Sequence, residues 1–219
     1  MRESPSTVSL WLQPRRRPRV FPAAPSLPTP GQFVTLRFYR AGLAWEGHSF
    51  SVSGVRPDGS FRVTVRVLGD ATALIQDLPA GTAALVEGPY GVMTASRAQE
   101  DRAVLIAGGI GISPIRGIAG DLAGRARLDV IVRARSADDL PLVNELRALE
   151  QQNLLRLHLM VGSRRQWPID PYTLGALIPD FAHCDVYACG PAQLLDAVRA
   201  SAAAFRVPDS RVHIESLDL

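Results

Sequence analysis

The spacing of apolar residues changes once along this chain of 219 residues, and the change falls between residues 92 and 101. Before it, short alternating runs are separated by turn signals such as Pro57-Asp58-Gly59 and Pro79-Ala80-Gly81. Alternation with a period of two is typical of strands, and several short strands in succession indicate a small antiparallel β-barrel. The predicted strands are 7–12, 32–39, 49–55, 60–68 and 82–87.

After the change, strand-like apolar runs alternate with amphipathic helical patterns. The predicted strands are 103–107, 128–132, 155–161, 185–188 and 211–217, and the predicted helices are 113–123, 142–149 and 194–205. Asp138 and Asp139 are expected to cap the second of these helices. Such alternation predicts an α/β doubly wound parallel sheet. We therefore expect two domains, a β-barrel over residues 1–98 and an α/β domain over residues 99–219.

The net charge of +3 does not indicate nucleic-acid binding, because the positive charge is concentrated near the start of the chain. Residues 1–40 hold seven arginines and one glutamate, which gives +6 there and leaves −3 for the rest. An anionic surface or partner is one interpretation of the basic segment, and a solvated loop is the simpler one. That segment contains Arg15, Arg16, Arg17 and Arg19.

Two cysteines, Cys184 and Cys189, are too few for a disulfide framework, a four-cysteine zinc site or a cysteine-ligated iron–sulfur cluster. No metal site is therefore predicted. The chain contains no apolar run of the roughly 18–20 residues that a membrane helix needs, and no leader pattern marks its start. These patterns predict a cytoplasmic protein without a membrane span, which at most lies peripherally at the inner face of a membrane.

The segment 108–114, Gly-Gly-Ile-Gly-Ile-Ser-Pro, lies between a predicted strand and a predicted helix. A helix N-terminus after a glycine-rich turn favours a phosphate, with Ser113 as a cap and Pro114 at the first helical position. Nucleotide binding and a purely steric turn both fit this pattern. No Lys-Ser or Lys-Thr pair follows, which excludes a P-loop of the nucleotide-hydrolysing type.

The second strand of the α/β domain ends near Arg133 and Arg135. In a doubly wound sheet this end faces the adenosine ribose of a bound dinucleotide, where a cation accommodates the 2′-phosphate of NADP. The two arginines therefore favour NADPH over NADH, although two solvated arginines at a strand end explain the pattern equally well.

Three further strings accompany the glycine turn in order along the chain: His48-Ser49-Phe50-Ser51, Gly88-Pro89-Tyr90-Gly91 and Cys189-Gly190-Pro191. Together the four strings resemble those of the ferredoxin–NADP reductase superfamily over about residues 7–219. The first string resembles most closely the His-Pro-Phe-Ser/Thr string of the dehydrogenase module in ferric reductases and NADPH oxidases. The resemblance implies FAD in the barrel and NADPH or NADH on the α/β domain, with the two reactive rings meeting between the domains.

The resemblance also implies a role for each matching residue, although core packing is the simpler explanation of many of them taken singly. Phe50 would pack on the flavin, Ser51 would bond near its reactive edge, and His48 would lie near the FAD phosphates or ribityl chain. Cys189 would approach the nicotinamide, and Ser51, Cys189 and Glu215 would be the catalytic residues. Gly69 and Thr72 resemble the family's second pyrophosphate turn, whose free amides suit an anion. Gly109, Gly111 and Ser113 would hold the NADPH phosphates, and the remaining implied cofactor contacts are Ser53, Gly88, Pro114, Gly190 and Pro191.

The activity that the resemblance implies is hydride transfer from NAD(P)H to FAD, followed by release of single electrons to an acceptor. The acceptor would be a separate membrane haem protein, ferric iron or ferredoxin. The alternative is a non-catalytic or degenerate nucleotide-binding subunit of a membrane redox complex.

Two features depart from the family pattern. Leu217 stands where the family commonly has an aromatic residue over the flavin, so FAD retention is expected to be weaker. Only six residues precede the strand at 7–12, and we expect them to be too few for the family's first barrel strand. The barrel would then have an open edge, or the true start would lie upstream.

Overall fold

The computed structural model describes residues 1–15, 26–43, 46–137 and 140–217. Within these ranges a six-stranded antiparallel sheet is followed by a five-stranded parallel sheet with helices, which confirms the predicted fold class. Most of the basic segment, Arg16, Arg17 and Arg19, lies outside the described residues, and so do Asp138 and Asp139.

The first sheet is built from short strands with alternating burial. Its strands are β1 (Arg2–Ser4), β2 (Thr7–Leu12), β3 (Phe33–Phe38), β4 (His48–Val55), β5 (Phe61–Arg66) and β6 (Ala84–Tyr90). They are hydrogen-bonded in the order β1-β2-β5-β4-β3-β6. The expectation that too few residues precede β2 to form a strand is wrong, because residues 2–4 turn back and pair with β2 as a short edge strand.

β4 bends in its middle. Residues 48–51 pair with β3, residues 52–55 pair with β5, and the register shifts between Val52 and Gly54. A bulge of this kind bends a strand and re-aims the side chains beside it. Phe50 and Ser51 lie immediately before the bend.

A short helix that the sequence patterns did not predict follows β5. This helix, α1 (Asp70–Gln76), places Ile75 in the core of the first sheet. The core there consists of side chains from β2 to β5, from α1 and from the loop after β3: Val8, Val34, Leu36, Phe38, Leu43, Val52, Phe61, Val63, Val65 and Ile75.

The second sheet has the order β11-β10-β7-β8-β9 and is parallel throughout. Its strands are β7 (Arg102–Gly108), β8 (Arg127–Ala134), β9 (Arg156–Val161), β10 (Asp185–Gly190) and β11 (Val212–Ser216). Its helices are α2 (Ile112–Leu122), α3 (Val143–Gln151), α4 (Pro171–Leu177) and α5 (Ala192–Ala204). One apolar cluster holds side chains from α2 and α3, and a second holds side chains from α4 and α5. Helices therefore cover both faces, as predicted for a doubly wound sheet.

Helix α3 starts later than its apolar spacing predicts. Its N-terminal flanking residue is Leu142, which has a left-handed backbone conformation with φ of 60°. The capping role predicted for Asp138 and Asp139 lies outside the described residues. The boundary between residues 98 and 99 stays a prediction, with β6 ending at Tyr90 and β7 starting at Arg102.

Helix α2 lies directly against β4 and so joins the two domains. A Cβ atom on Gly117 of α2 would lie 2.8 Å from Cβ of Pro30 and 3.1 Å from the carbonyl oxygen of Val52. Only glycine allows the helix to approach the strand this closely. None of the helices in the described parts of the chain is long and apolar enough to cross a bilayer.

Candidate functional site

A cavity of about 250 Å³ lies between the two domains. The first domain contributes residues from β3, β4, β5 and α1, and the second contributes residues from the glycine turn, α2 and the end of the chain. Its lining is Phe33, Ser49, Phe50, Ser51, Thr64, Arg66, Leu68, Thr72, Ile110, Ser113, Glu215, Ser216 and Leu217. Five of the residues predicted from the sequence therefore meet here: Phe50, Ser51, Thr72, Ser113 and Glu215.

Aromatic side chains form the apolar part of this cavity on the first domain. Phe50 is half-buried on β4, and Phe33 stands on the neighbouring strand β3. The ring of Phe33 packs on Tyr90, with 5.5 Å between ring centroids. Leu217 and Ile110 face this surface from the second domain. Phe33 was not identified from the sequence, because the alternating pattern around it shows only that it lies in a strand.

The glycine turn follows β7 as predicted, but the helix begins earlier than predicted. Gly109–Gly111 form a single 3₁₀ turn that runs directly into α2, with Gly111 as the N-cap. Ser113 and Pro114 therefore lie inside the first turn of α2, and neither the cap role of Ser113 nor the first-position role of Pro114 is correct. A Cβ atom on Gly111 would lie 2.1 Å from the carbonyl oxygen of Cys189, so packing alone requires glycine at this position.

The hydroxyl of Ser113 points towards the first domain instead of capping the helix. It donates a hydrogen bond of 3.4 Å to the carbonyl oxygen of Ser51. Both serines are buried. This contact joins the start of α2 to the strand that carries Phe50.

Arg66 is a cavity residue that sequence reasoning did not single out. It ends β5, and one guanidinium nitrogen lies 3.6 Å from the position that a Cβ of Gly109 would occupy. A cation from the first domain therefore lies beside the glycine turn of the second. The alternating pattern of β5 marks Arg66 as a polar-face residue but does not show which element covers that face.

Glu215 places a carboxylate in the cavity. Its Oε2 atom is buried and has no hydrogen-bond partner among the described residues. Burial raises its pKa from 4.5 to about 7. The carboxyl of Glu215 therefore exchanges a proton near neutral pH, unlike an exposed glutamate.

Cys189 is placed differently from its implied role. It is fully buried in the core of the second domain and does not line the cavity. Burial, with a smaller contribution from the charge of Glu215, raises the pKa of its thiol well above the usual range. The thiol is therefore a core group in this structure, and the contact with a nicotinamide that the resemblance implies for Cys189 stays a prediction.

The segment with Gly69 and Thr72 is the start of α1 and not an open turn. The hydroxyl oxygen of Thr72 accepts hydrogen bonds from the backbone amides of Leu68 and Gly69, at 2.8 and 3.0 Å. Those two amides are therefore not free, contrary to the expectation for this segment. Thr72 itself still lines the cavity.

Arginines cluster where β8 ends beside the glycine turn. Arg133 is the register partner of Gly108, and its Nε atom is buried without a hydrogen-bond partner among the described residues. Burial, and then the nearby charge of Arg164, lowers the pKa of Arg133. Arg135 is exposed two residues further on. Arg164 was not identified from the sequence, because it lies in the connection after β9 and is distant in sequence from Arg133.

The other predicted residues lie around the cavity and do not line it. Ser53 is fully buried, and its hydroxyl accepts a hydrogen bond from Arg62 at 2.9 Å. His48 starts β4, with its ring 6.4 Å from that of Phe50 and its Nε2 atom buried and unpartnered among the described residues. The rest of this group consists of Gly88 in β6 and the string Gly190-Pro191 beneath the glycine turn.

The cavity suits a flat aromatic ring with a polar edge. Phe33, Phe50, Ile110 and Leu217 supply apolar surface, while a few polar groups converge on the same space. The unpartnered oxygen of Glu215 is a group that such a ligand would satisfy, and Arg66 adds positive charge to the same cavity. Across the described ranges, no three His, Cys, Asp or Glu side chains are grouped so that they could hold a metal ion.

No sequence family model matched the chain. A curated relative in Methanopyrus kandleri, a probable dihydroorotate dehydrogenase B (NAD(+)) electron transfer subunit, is 31% identical over 208 residues, which cover 94% of this chain and 72% of the relative. The glycine betaine monooxygenase reductase subunit of Chromohalobacter salexigens is 27% identical over 205 residues, covering 85% of this chain. The chain spans only 55% of the length of that reductase.

The fold is similar to solved structures. The FAD/NAD-binding domain of a nitric oxide dioxygenase from Vibrio cholerae superposes with a TM-score of 0.77 at 20% identity, covering 98% of this chain and 94% of that one. The sequence relatives are subunits of a dihydroorotate dehydrogenase and an oxygenase. The narrower prediction of the ferric reductase and NADPH oxidase branch is therefore wrong. It rested on one string of four residues that lacks the proline of that branch.

Proposed function

We propose that this chain, which belongs to the ferredoxin reductase-type family of FAD- and NAD(P)-dependent oxidoreductases, is the reductase component of a larger redox system. It would take hydride from NAD(P)H onto FAD and pass electrons to a partner protein. The observation that carries the proposal is the single cavity that receives Phe50 and Ser51 from one domain and Ile110 and Ser113 from the other.

A bound FAD would supply the redox chemistry, because it accepts a hydride and releases electrons singly. The chain's own task is to bind and orient the two cofactors and to exclude water from the site. Phe33, Phe50 and Leu217 would enclose the ring, and Thr72 with α1 would lie towards the FAD phosphates. Arg66 would place a positive charge between the FAD site and the glycine turn, where two phosphorylated ligands would approach each other.

Glu215 would hold a proton at Oε2 beside the reactive ring. Its raised pKa allows both the protonated and the ionised form near neutral pH. Ser51, at the bend of β4, would orient the ring edge through its hydroxyl. The backbone carbonyl of Cys189, which lies directly against Gly111, would support the glycine turn from beneath.

The arginines at the end of β8 favour NADPH over NADH in this proposal. Arg133 and Arg164 bring two positive charges together at the point where the adenosine ribose of a dinucleotide lies in such sheets. A 2′-phosphate would satisfy the unpartnered Nε of Arg133. Arg135 adds a third cation on the exposed side.

The acceptor in this proposal is a protein subunit that carries its own redox centre. The relatives are an electron transfer subunit and an oxygenase reductase subunit, and the chain is shorter than both. An oxygenase component, a ferredoxin or a substrate-oxidising flavoprotein subunit would serve as acceptor. A membrane haem protein and free ferric iron have less support, because both were expected only from the resemblance to the ferric reductase and NADPH oxidase branch.

Reduction of ferricyanide by the purified chain with FAD and either NADPH or NADH tests the proposal. A rate well above that of free FAD with the same nucleotide supports an oxidoreductase. A rate equal to that of free FAD, in a sample that binds both ligands, would instead support the non-catalytic nucleotide-binding subunit.

A further inference from the structure

Three charged side chains join the two domains beside the polar network that includes the cavity residue Thr64. Arg62 belongs to β5 of the first sheet, Arg116 to α2 and Glu145 to α3. The guanidinium of Arg62 donates two hydrogen bonds to the carboxylate of Glu145, at 2.5 and 3.0 Å. Arg116 forms an ion pair with the same carboxylate. Glu145 therefore bridges the first sheet and the helix that follows the glycine turn.

The bridge is held rigidly on the side of the first domain. The Arg62 side chain is only 4% exposed, and its Nε atom also donates to the hydroxyl of Ser53 at 2.9 Å. Ser53 and Ser9 both pair through their hydroxyls with Thr64, at 3.0 Å each. Buried, fully bonded polar networks of this kind restrict a contact to one geometry.

The carboxylate stays ionised despite its partial burial. Burial alone would raise the pKa of Glu145, but the hydrogen bond from Arg62 and the charge of Arg116 outweigh it and hold that pKa below its ordinary value. The bridge is therefore a charged clamp at neutral pH and not a neutral hydrogen bond. Replacing the carboxylate would leave the buried Arg62 without its counter-ion.

The position of the clamp along α2 determines what it controls. Ser113 contacts Ser51 near the start of the helix, Gly117 packs on Val52, and Arg116 lies between them. A shift of α2 along β4 would move the glycine turn relative to Phe50. Hydride transfer is sensitive to such shifts, because a displacement of about 1 Å can cost about a hundredfold in rate.

We propose that Glu145 is a positioning residue, which clamps Arg62 and Arg116 so that α2 and β4 hold the nicotinamide and flavin sites in reactive alignment. This inference rests on the proposed function for its kinetic consequence. Its structural consequence, a fixed arrangement of the two domains, does not depend on any cofactor.

Two variants break the clamp to different degrees. Glu145→Gln removes the shared carboxylate, and Arg116→Gln releases only α2 while the pair between Arg62 and Glu145 remains. Arg116→Lys keeps the charge and serves as the conservative rescue. Glu150→Gln, on the exposed face of the same helix, is the matched control, since its amide oxygen can still accept the hydrogen bond from the backbone amide of Leu157.

The first measurement follows flavin reduction at saturating NADPH, per bound FAD, together with the isotope effect for NADPH deuterated at the transferred hydrogen. We expect a rate reduced roughly ten- to hundredfold in the clamp variants, an altered isotope effect, and dissociation constants for FAD and NADPH within about threefold of the parent. Arg116→Lys should recover most of the rate, and Glu150→Gln should match the parent. A merely structural role would change stability but not the isotope effect of the folded enzyme.

The second measurement needs no cofactor. Spin labels on Ala80→Cys and Tyr172→Cys, both exposed and one in each domain, report the distance between domains, because the native cysteines are buried. We expect one narrow distance distribution in the parent and a broader or shifted one in both clamp variants. If Glu145→Gln does not fold, the same measurements on Arg116→Gln test the inference.

Unchanged distances and an unchanged reduction rate in the clamp variants would overturn the inference. A parent protein that binds both ligands but never reduces FAD would overturn the proposed function instead. The spin-label distances would in that case still decide whether the clamp fixes the domains.

Discussion

The hydroxyl of Ser113 in α2 donates a hydrogen bond to the carbonyl oxygen of Ser51 in β4, across the boundary between the two sheets. Both residues line the same cavity. The bond connects the helix that follows the glycine turn to the strand that carries Phe50. The two halves of the proposed redox site are therefore in direct contact. A substitution on either side should affect the binding of both ligands.

Phe50→Ala should weaken FAD binding without unfolding the protein. Phe50 is half-buried and faces the cavity, so its removal takes away apolar surface that would contact the ring. We expect the dissociation constant for FAD to rise about tenfold, measured by titration of flavin fluorescence. Tyr172→Ala, at a residue 87% exposed on α4, is the control. Equal affinities in both variants would remove Phe50 from the site.

Glu215→Gln should change how stability depends on pH in the cofactor-free protein. The pKa of Glu215 is raised from 4.5 to about 7, so the folded protein binds its proton more tightly than the unfolded chain. The stability from the protonated carboxyl is complete below pH 4.5 and is lost as pH rises through about 7. Glutamine does not titrate, so the variant should gain about 1–2 kcal/mol relative to the parent between about pH 5 and 8, after allowance for partial exposure.

Urea unfolding of the two proteins across this range measures the difference. Parallel pH profiles would mean that Glu215 is ionised throughout the neutral range. Its assignment as the proton-holding group of the site would then fail.

Arg133→Ala should lower the preference for NADPH. Arg133 lies beside Gly108, with a buried Nε atom that a 2′-phosphate would satisfy. Loss of one charged hydrogen bond should reduce kcat/KM for NADPH about tenfold and leave that for NADH nearly unchanged. Arg135→Ala should give a smaller effect, because that side chain is exposed. Equal losses with both nucleotides would show that Arg133 stabilises the strand end and does not recognise the phosphate.

Leu217→Tyr should strengthen retention of FAD. Leu217 lines the cavity and packs on the core of the second domain, where an aromatic ring would cover more of a flat ligand. The parent is expected to lose flavin during gel filtration, and the variant is expected to keep more of it. A parent that retains one flavin per chain would contradict this prediction, because leucine would then shield the ring adequately.

The sequence patterns predicted the positions of the strands more reliably than they predicted the contacts between the two domains. Strand β2 forms at the predicted residues 7–12, because its alternating side chains decide its local structure. Helices α1 and α4 were missed, since each has only seven residues and buries few of them. Periodicity does not distinguish so short a helix from a turn.

The predicted site was partly recovered. Phe50, Ser51, Ser113 and Glu215 lie next to strand ends or bends, and the family resemblance, not periodicity, identified them. Arg66 and Phe33 were missed, because their place in the cavity depends on how the two sheets meet. The burial of Cys189 was not predicted either, because the sequence around a cysteine at a strand end does not show whether its thiol lies in the core or is reactive.

The central claim is that one cleft aligns a nicotinamide with a flavin. Anaerobic mixing of the FAD-loaded chain with one equivalent of NADPH, followed by the visible absorbance of the flavin, tests it most directly. The account predicts that the absorbance bleaches in a single turnover, faster than for free FAD at the same concentrations. Binding of both ligands without bleaching beyond the rate of free FAD would contradict it.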